Sequence, residues 1–230
     1  MNTLEPSVLF EDNHLLIVSK PAGLLVQPDP SGDPALEQWA ERYIAVKEGK
    51  AGKAFVGVPH RLDRPTSGIV ILAKTSKALV RLNQLFKDHT LQKTYWAIVE
   101  GHLEKPTARL EHLLARDSQK NKSYVTKSSS GQRAVLTYET LAKGTHYTLL
   151  SIDLETGRHH QIRAQFSAIG HPVKGDVKYG ARRGNLGGFL HLHAKKVAFA
   201  HPVGGAFLVV EAPLPEESVW KTLESSMERK

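Results

Sequence analysis

The 230-residue chain contains no cysteine, which excludes disulfides and thiolate zinc sites and suits a reducing cytoplasm. Long hydrophobic runs are also missing. Stretches such as Ile69–Ala73 are far shorter than the roughly 20 residues a membrane helix needs, so no membrane partner is expected. The opening segment, MNTLEPSVLFED, carries acids and no basic residue ahead of its short apolar run, unlike a secretory signal. GxxxxGK[ST], HExxH and GxSxG runs do not occur, which removes the P-loop, the zincin helix and the serine nucleophile elbow. The Gly-rich stretch 180–188 lacks the strand-then-helix setting of a dinucleotide fingerprint. There is no internal repeat and no low-complexity segment.

What is present is an ordinary globular composition, 40% hydrophobic and 23% charged, with an excess of positive charge: 31 Lys and Arg against 23 Asp and Glu, a net +8. Such a balance favours an anionic partner, nucleic acid above all, though a basic surface serving only solubility has the same composition. Of twelve histidines, His159, His160, His191 and His193 form the tempting metal cluster. Adjacent His159 and His160 would point to different faces of a helix, so no metal is expected.

Turn residues and periodicity divide the chain into short elements. Val8–Phe10 and Leu15–Ser19 around Glu11-Asp12-Asn13 predict an opening hairpin that runs into Lys20-Pro21-Ala22-Gly23. Helical spacing predicts a helix over Ala35–Val46, capped by Asp33 and Pro34, and another from a Ser76 cap to Phe86. Ile69–Ala73 and Thr94–Val99 read as strands, and Leu110 to Gly131, rich in Ser, Lys and Asn, as a mobile excursion between strands. Ala134–Leu141 with His146–Leu154 predicts a strand pair, Arg158–Ile169 a helix stopped by Gly170 and Pro172, then strands Phe189–Ala200 and Ala206–Glu211 and a terminal helix from Glu216. Strands outnumber helices and are partly hairpin-linked. The fold class expected is α+β, with a mixed, largely antiparallel central β-sheet and flanking helices.

The chemistry concentrates in His60 to Thr75, HRLDRPTSGIVILAKT. One carboxylate, Asp63, stands between Arg61 and Arg64 and three residues after His60, an arrangement that favours its ionised form. A loop Asp–Arg pair of little energetic weight has the same pattern.

Five segments in order resemble the RluA family of RNA pseudouridine synthases. VLFEDNHLLIVSKPAGLLV is similar to the family's first motif, HRLDRPTSGIVILAKT to the second, and KTYWAIVEG to the third; ETGRHHQIRAQFSAIGHPVKGDVKYG and LHLHAKKVAFAHP are similar to the last two. The resemblance implies that Asp63 is the catalytic carboxylate, Tyr95 the active-site tyrosine and Arg163, in the HQIR run, the carboxylate's partner. It places Leu192 against the uracil and Arg61 in the space a flipped uridine vacates. Arg64, Arg158, Lys174, Lys178, Arg182 and Arg183 would then meet phosphates, with Gln161 beside them.

On this resemblance the chain is expected to be one catalytic domain, residues 1–230, of the short type without an added N-terminal RNA-binding domain. It would act in the cytoplasm, as a monomer, on ribosomal or transfer RNA, without cofactor or metal. A catalytically silent RNA-binding protein on the same fold, or a hydrolase pairing Asp63 with a histidine, are the competing readings.

Overall fold

The computed structural model describes residues 5–227. The chain is α+β, with ten largely antiparallel strands and four α-helices among the described residues, and it resolves into two compact units.

The first unit runs to Leu91 and takes in Ala194–Pro213. Strands β1 (Ser7–Glu11) and β2 (Leu15–Lys20) form the expected hairpin. Its turn is set by Asp12, whose Oδ1 accepts the amides of His14 and Leu15, each at 2.7 Å. Helix α1 (Leu36–Lys47) follows. Its N-cap is Ala35 rather than Asp33, because the Asp33 carboxylate is drawn instead to Arg64, 2.8 Å away. Strand β3 (Ser67–Ala73) pairs with β2 and is buried along its whole length, which explains its unbroken apolar sequence. Helix α2 (Ser76–Lys87) is capped by Thr75, one residue before the expected cap, with Thr75 Oγ1 accepting the Ala78 amide at 3.2 Å.

The second unit comprises Gln92–His193 and the segment from Leu214. Strands β4 (Gln92–Glu100), β5 (Thr107–Asp117), β6 (Lys122–Thr126), β7 (Gln132–Lys143) and β8 (Tyr147–Leu154) lie in the order β4-β8-β7-β5-β6. The stretch expected to be a mobile excursion is therefore an ordered hairpin, with β5 paired from Leu113–Thr126 to Asp117–Lys122 and closed by Asn121 at φ 45°. Helix α3 (Gln161–Ala168) is shorter than expected, because His160 at its N-terminus takes a left-handed backbone, φ 52°. That geometry also corrects the placement of the adjacent histidines: His159 and His160 precede the helix and stack, ring centroids 3.8 Å apart. A short 3-10 turn, Val177–Tyr179, follows.

Strand β9 (Leu192–Ala200) opens in the second unit and continues in the first, where β10 (Phe207–Glu211) pairs with it. Helix α4 (Ser218–Ser225) seats Trp220 and Leu223 against Ile98 and Leu149.

Candidate active site

Asp63 sits in a turn whose backbone is tied down from below. The Thr66 amide donates to the Asp63 carbonyl at 3.0 Å, and Gly23 N donates to the Arg64 carbonyl at 2.7 Å. Beneath lies Lys20, the last residue of β2, with no solvent exposure. Its Nζ donates to the carbonyls of Leu24 (2.9 Å), Pro21 (3.0 Å) and Arg64 (3.3 Å), so one ammonium joins the Lys-Pro-Ala-Gly turn to the Asp63 turn. Burial pushes the Lys20 ammonium down to about 7, with the negative charge of Asp63 opposing that fall and Arg64 adding to it. Gly68 ends the turn at φ +111°, and a Cβ there would lie 2.4 Å from the Ala194 carbonyl oxygen, so no other residue fits.

The neighbours of Asp63 divide into committed and exposed groups. His60 Nε2 accepts the Ile71 amide at 2.9 Å, and its ring stacks on Phe86 at 4.5 Å. A nitrogen used as that acceptor is not available as a base. Arg64 donates from Nε to the Gly23 carbonyl at 3.0 Å as well as meeting Asp33. Arg61 is exposed.

In the second unit Arg163, on α3, is buried with Asp176. Nε donates to Oδ2 at 2.6 Å and Nη2 to Oδ1 at 2.9 Å, the two-pronged geometry that makes such pairs strong. A guanidinium carries five N–H donors, so this pairing is compatible with a second carboxylate. The Tyr179 ring lies 4.8 Å from the same guanidinium. Its hydroxyl accepts the Ser123 amide at 2.8 Å and meets His160 Nδ1 at 2.9 Å, while Ser167 Oγ donates to its carbonyl at 2.6 Å. Asp176 and Tyr179 thus orient Arg163, and neither was singled out from the sequence.

Tyr95, half-buried on β4, packs against the same apolar cluster that buries Leu192 at the start of β9. The structure therefore brings these two expected site residues together. Gln161 is buried and internally satisfied: its Oε1 accepts from Thr156 Oγ1 (2.8 Å) and Arg158 N (3.0 Å), and its Nε2 donates to the Val135 carbonyl (3.0 Å). Arg158 Nε donates to the Arg133 carbonyl at 3.0 Å. Lys178 Nζ donates to the Asn121 carbonyl at 3.1 Å. Lys174, whose ammonium is pushed down by burial, donates to Asn185 Oδ1 at 2.7 Å. Asn185 Nδ2 in turn donates to His191 Nδ1 at 3.0 Å, leaving His191 Nε2 to donate to Glu217 at 2.5 Å. Arg182 and Arg183 are exposed.

The sequence matches the model of the RNA pseudouridylate synthase family over residues 14–168. The chain belongs to that family. It is an RNA pseudouridine synthase, an isomerase. It is 37% identical over 218 residues to the uncharacterized RNA pseudouridine synthase YhcT of Bacillus subtilis, covering 93% of this chain and 70% of that protein. It is 35% identical over 221 residues to ribosomal large subunit pseudouridine synthase D of Zymomonas mobilis, covering 91% and 69%. The fold matches human RNA pseudouridylate synthase domain containing 4 with a TM-score of 0.76 at 23% identity, covering 91% of this chain and 89% of that one.

Proposed function

We propose that this pseudouridine synthase isomerises specific uridines in ribosomal or transfer RNA, with Asp63 acting at the ribose of a uridine flipped from its stack. In the reaction the N1–C1′ bond breaks, the uracil turns, a C5–C1′ bond forms, the C5 proton leaves and N1 gains a proton. Nothing is oxidised and no group is transferred, so the balance calls for no cofactor. Asp63 serves as nucleophile at C1′ or as base at C2′; both roles require an ionised carboxylate shielded from water, and burying a bare charge is costly. Arg163, held by Asp176 and Tyr179, is the cation assigned to that carboxylate.

Tyr95 stacks on the uracil and assists removal of the C5 proton, and Leu192 walls the space in which the base turns. Arg61, exposed and planar, fills the gap left in the RNA. Arg64, Arg158, Lys174, Lys178, Arg182 and Arg183 lie toward phosphates, with Gln161 holding the Arg158 backbone in place. The protein acts in this reading as a cytoplasmic monomer and as one catalytic domain.

The observation that supports the reading most is the Asp63 turn itself: it is pinned from below by Lys20, while His60 is committed to the Ile71 amide. That commitment disfavours the hydrolase in which His60 serves Asp63. The silent RNA-binding alternative would have no use for a carboxylate so held.

Mapping pseudouridines in ribosomal and transfer RNA from cells with and without the gene tests the proposal. Loss of one or a few sites is expected on deletion; an unchanged map in both RNA classes would contradict it.

A further inference from the structure

Strand β4 carries Tyr95 near its start and Glu100 at its end, and at about 3.3 Å per residue the two lie about 16 Å apart. At the Glu100 end four connections of the second unit converge: the link after β4, the turn between β7 and β8, the exit from α3, and the loop after the 3-10 turn. Together they wall a cleft of about 700 Å³.

The lining is chemically uniform. It offers three imidazoles, His102, His146 and His171, two guanidiniums, Arg182 and Arg183, and the Tyr147 ring, against the single carboxylate of Glu100. That carboxylate is spent on the protein itself, because Glu100 Oε1 accepts the Arg182 amide at 3.0 Å and so ties the arginine loop to the end of β4. His171 Nδ1 is held at the Glu100 carbonyl (2.8 Å), and His102 is held by Thr148 Oγ1 (3.4 Å) and the Thr145 carbonyl (3.2 Å). Lys174 Nζ adds a further cation 5.6 Å from the Tyr147 ring. Among the described residues, by contrast, the side chains of His146, Arg182 and Arg183 have no hydrogen-bond or ion-pair partner.

Two neighbouring guanidiniums whose side chains meet no acceptor among the described residues repel each other, and the pair is suited to an anion. Flat rings beside the cations add surfaces on which a nucleobase stacks, the combination that binds single-stranded nucleic acid. We propose that this cleft is a second RNA contact, distinct from the Tyr95 end of β4, in which Arg182 and Arg183 hold the phosphodiester of a nucleotide about two or three positions from the target uridine and His146 and Tyr147 pack against its base. The proposal rests on the pseudouridine synthase reading, which sets Tyr95 at the uracil; the cleft then fixes the course of the strand leaving it.

The test uses the full chain carrying Asp63→Asn, which permits binding without turnover, and unmodified transcripts of large-subunit ribosomal RNA and of transfer RNA. Adding Arg182→Glu with Arg183→Glu, both at exposed positions, is expected to weaken binding about tenfold or more and to lower the slope of log affinity against log salt by about 1 to 2, one contact per lost cation. Transcripts containing 4-thiouridine should crosslink to the peptide around His146 and Tyr147, and His146→Ala should reduce that adduct. Unchanged affinity and slope in the double variant, or crosslinks that never reach this peptide, would overturn the assignment. So would equal protection by millimolar inorganic phosphate or uridine monophosphate, which would make the cleft a small-anion site. Pseudouridine formation by the wild type separates the two failures. Isomerisation with unaltered binding by the cleft variants defeats the cleft alone, whereas no isomerisation of any RNA defeats both.

Discussion

Arg163 grips Asp176 through two hydrogen bonds of 2.6 and 2.9 Å, with both side chains buried. Removing one partner of such a pair strands a charge in the interior, which costs about 3–5 kcal/mol. Asp176→Asn is therefore expected to lower the melting temperature by on the order of 10 °C for a chain of this size. Replacing both groups by apolar ones, Arg163→Met with Asp176→Leu, should recover part of that loss, because neither member of this pair is then left charged without the other. The double variant should be inactive, because it lacks the cation assigned to Asp63. Calorimetry combined with tritium release from RNA labelled at uridine C5 checks both statements; recovered activity in the double variant would show that Arg163 serves only the fold.

Lys20 gives a pH signature. Burial holds its ammonium near 7 in the folded protein, against about 10.4 in an unfolded chain. Between those values the unfolded chain binds the extra proton, so the folded state gains stability as pH rises through this window, and below about 7 the penalty of charging the buried group is fully present. Lys20→Met is expected to remove this rise, so that the difference in stability between wild type and variant changes with pH between about 7 and 10 and is flat below. Three carbonyls also lose their donor. The Asp63 turn should loosen and kcat fall more than RNA affinity. Denaturant titrations at several pH values, alongside kcat and KM, decide this.

Tyr179 connects the arginine to the β5–β6 hairpin through the buried Ser123 amide. Tyr179→Phe keeps the ring beside Arg163 but leaves that amide without its acceptor, which costs about 1–3 kcal/mol. Faster amide exchange over Lys122–Thr126 is expected, with the remaining strands of the second unit little changed. Uniform destabilisation of the whole unit would argue against a local hub.

Much of this was legible in the sequence, and the reasons for the exceptions are physical. Strands such as β3, buried on both faces, announce themselves as continuous apolar runs, and the site motifs are contiguous stretches whose order along the chain is informative by itself. Asp176 escaped because its role is a pairing across 13 residues of chain, and sequence shows the residues without showing which face one another. The burial of Lys20 is hidden for the opposite reason: the run Lys-Pro-Ala-Gly shows only a strand entering a turn, whereas the carbonyls of that turn are what make the burial tolerable. The hairpin of β5 and β6 reads as a mobile segment because the polar tip around Ser118–Asn121 masks the alternation of Thr107–His112, in which exposed and half-buried residues interchange. His160 shortened α3 through a left-handed backbone that a non-glycine residue seldom takes.

The central claim is that Asp63 performs the chemistry while other residues hold the RNA. Its most direct test is Asp63→Asn, assayed for tritium release from RNA labelled at uridine C5 and, in parallel, for RNA binding. The account predicts no detectable tritium release with affinity within a few-fold of wild type; release near the wild-type rate would contradict it.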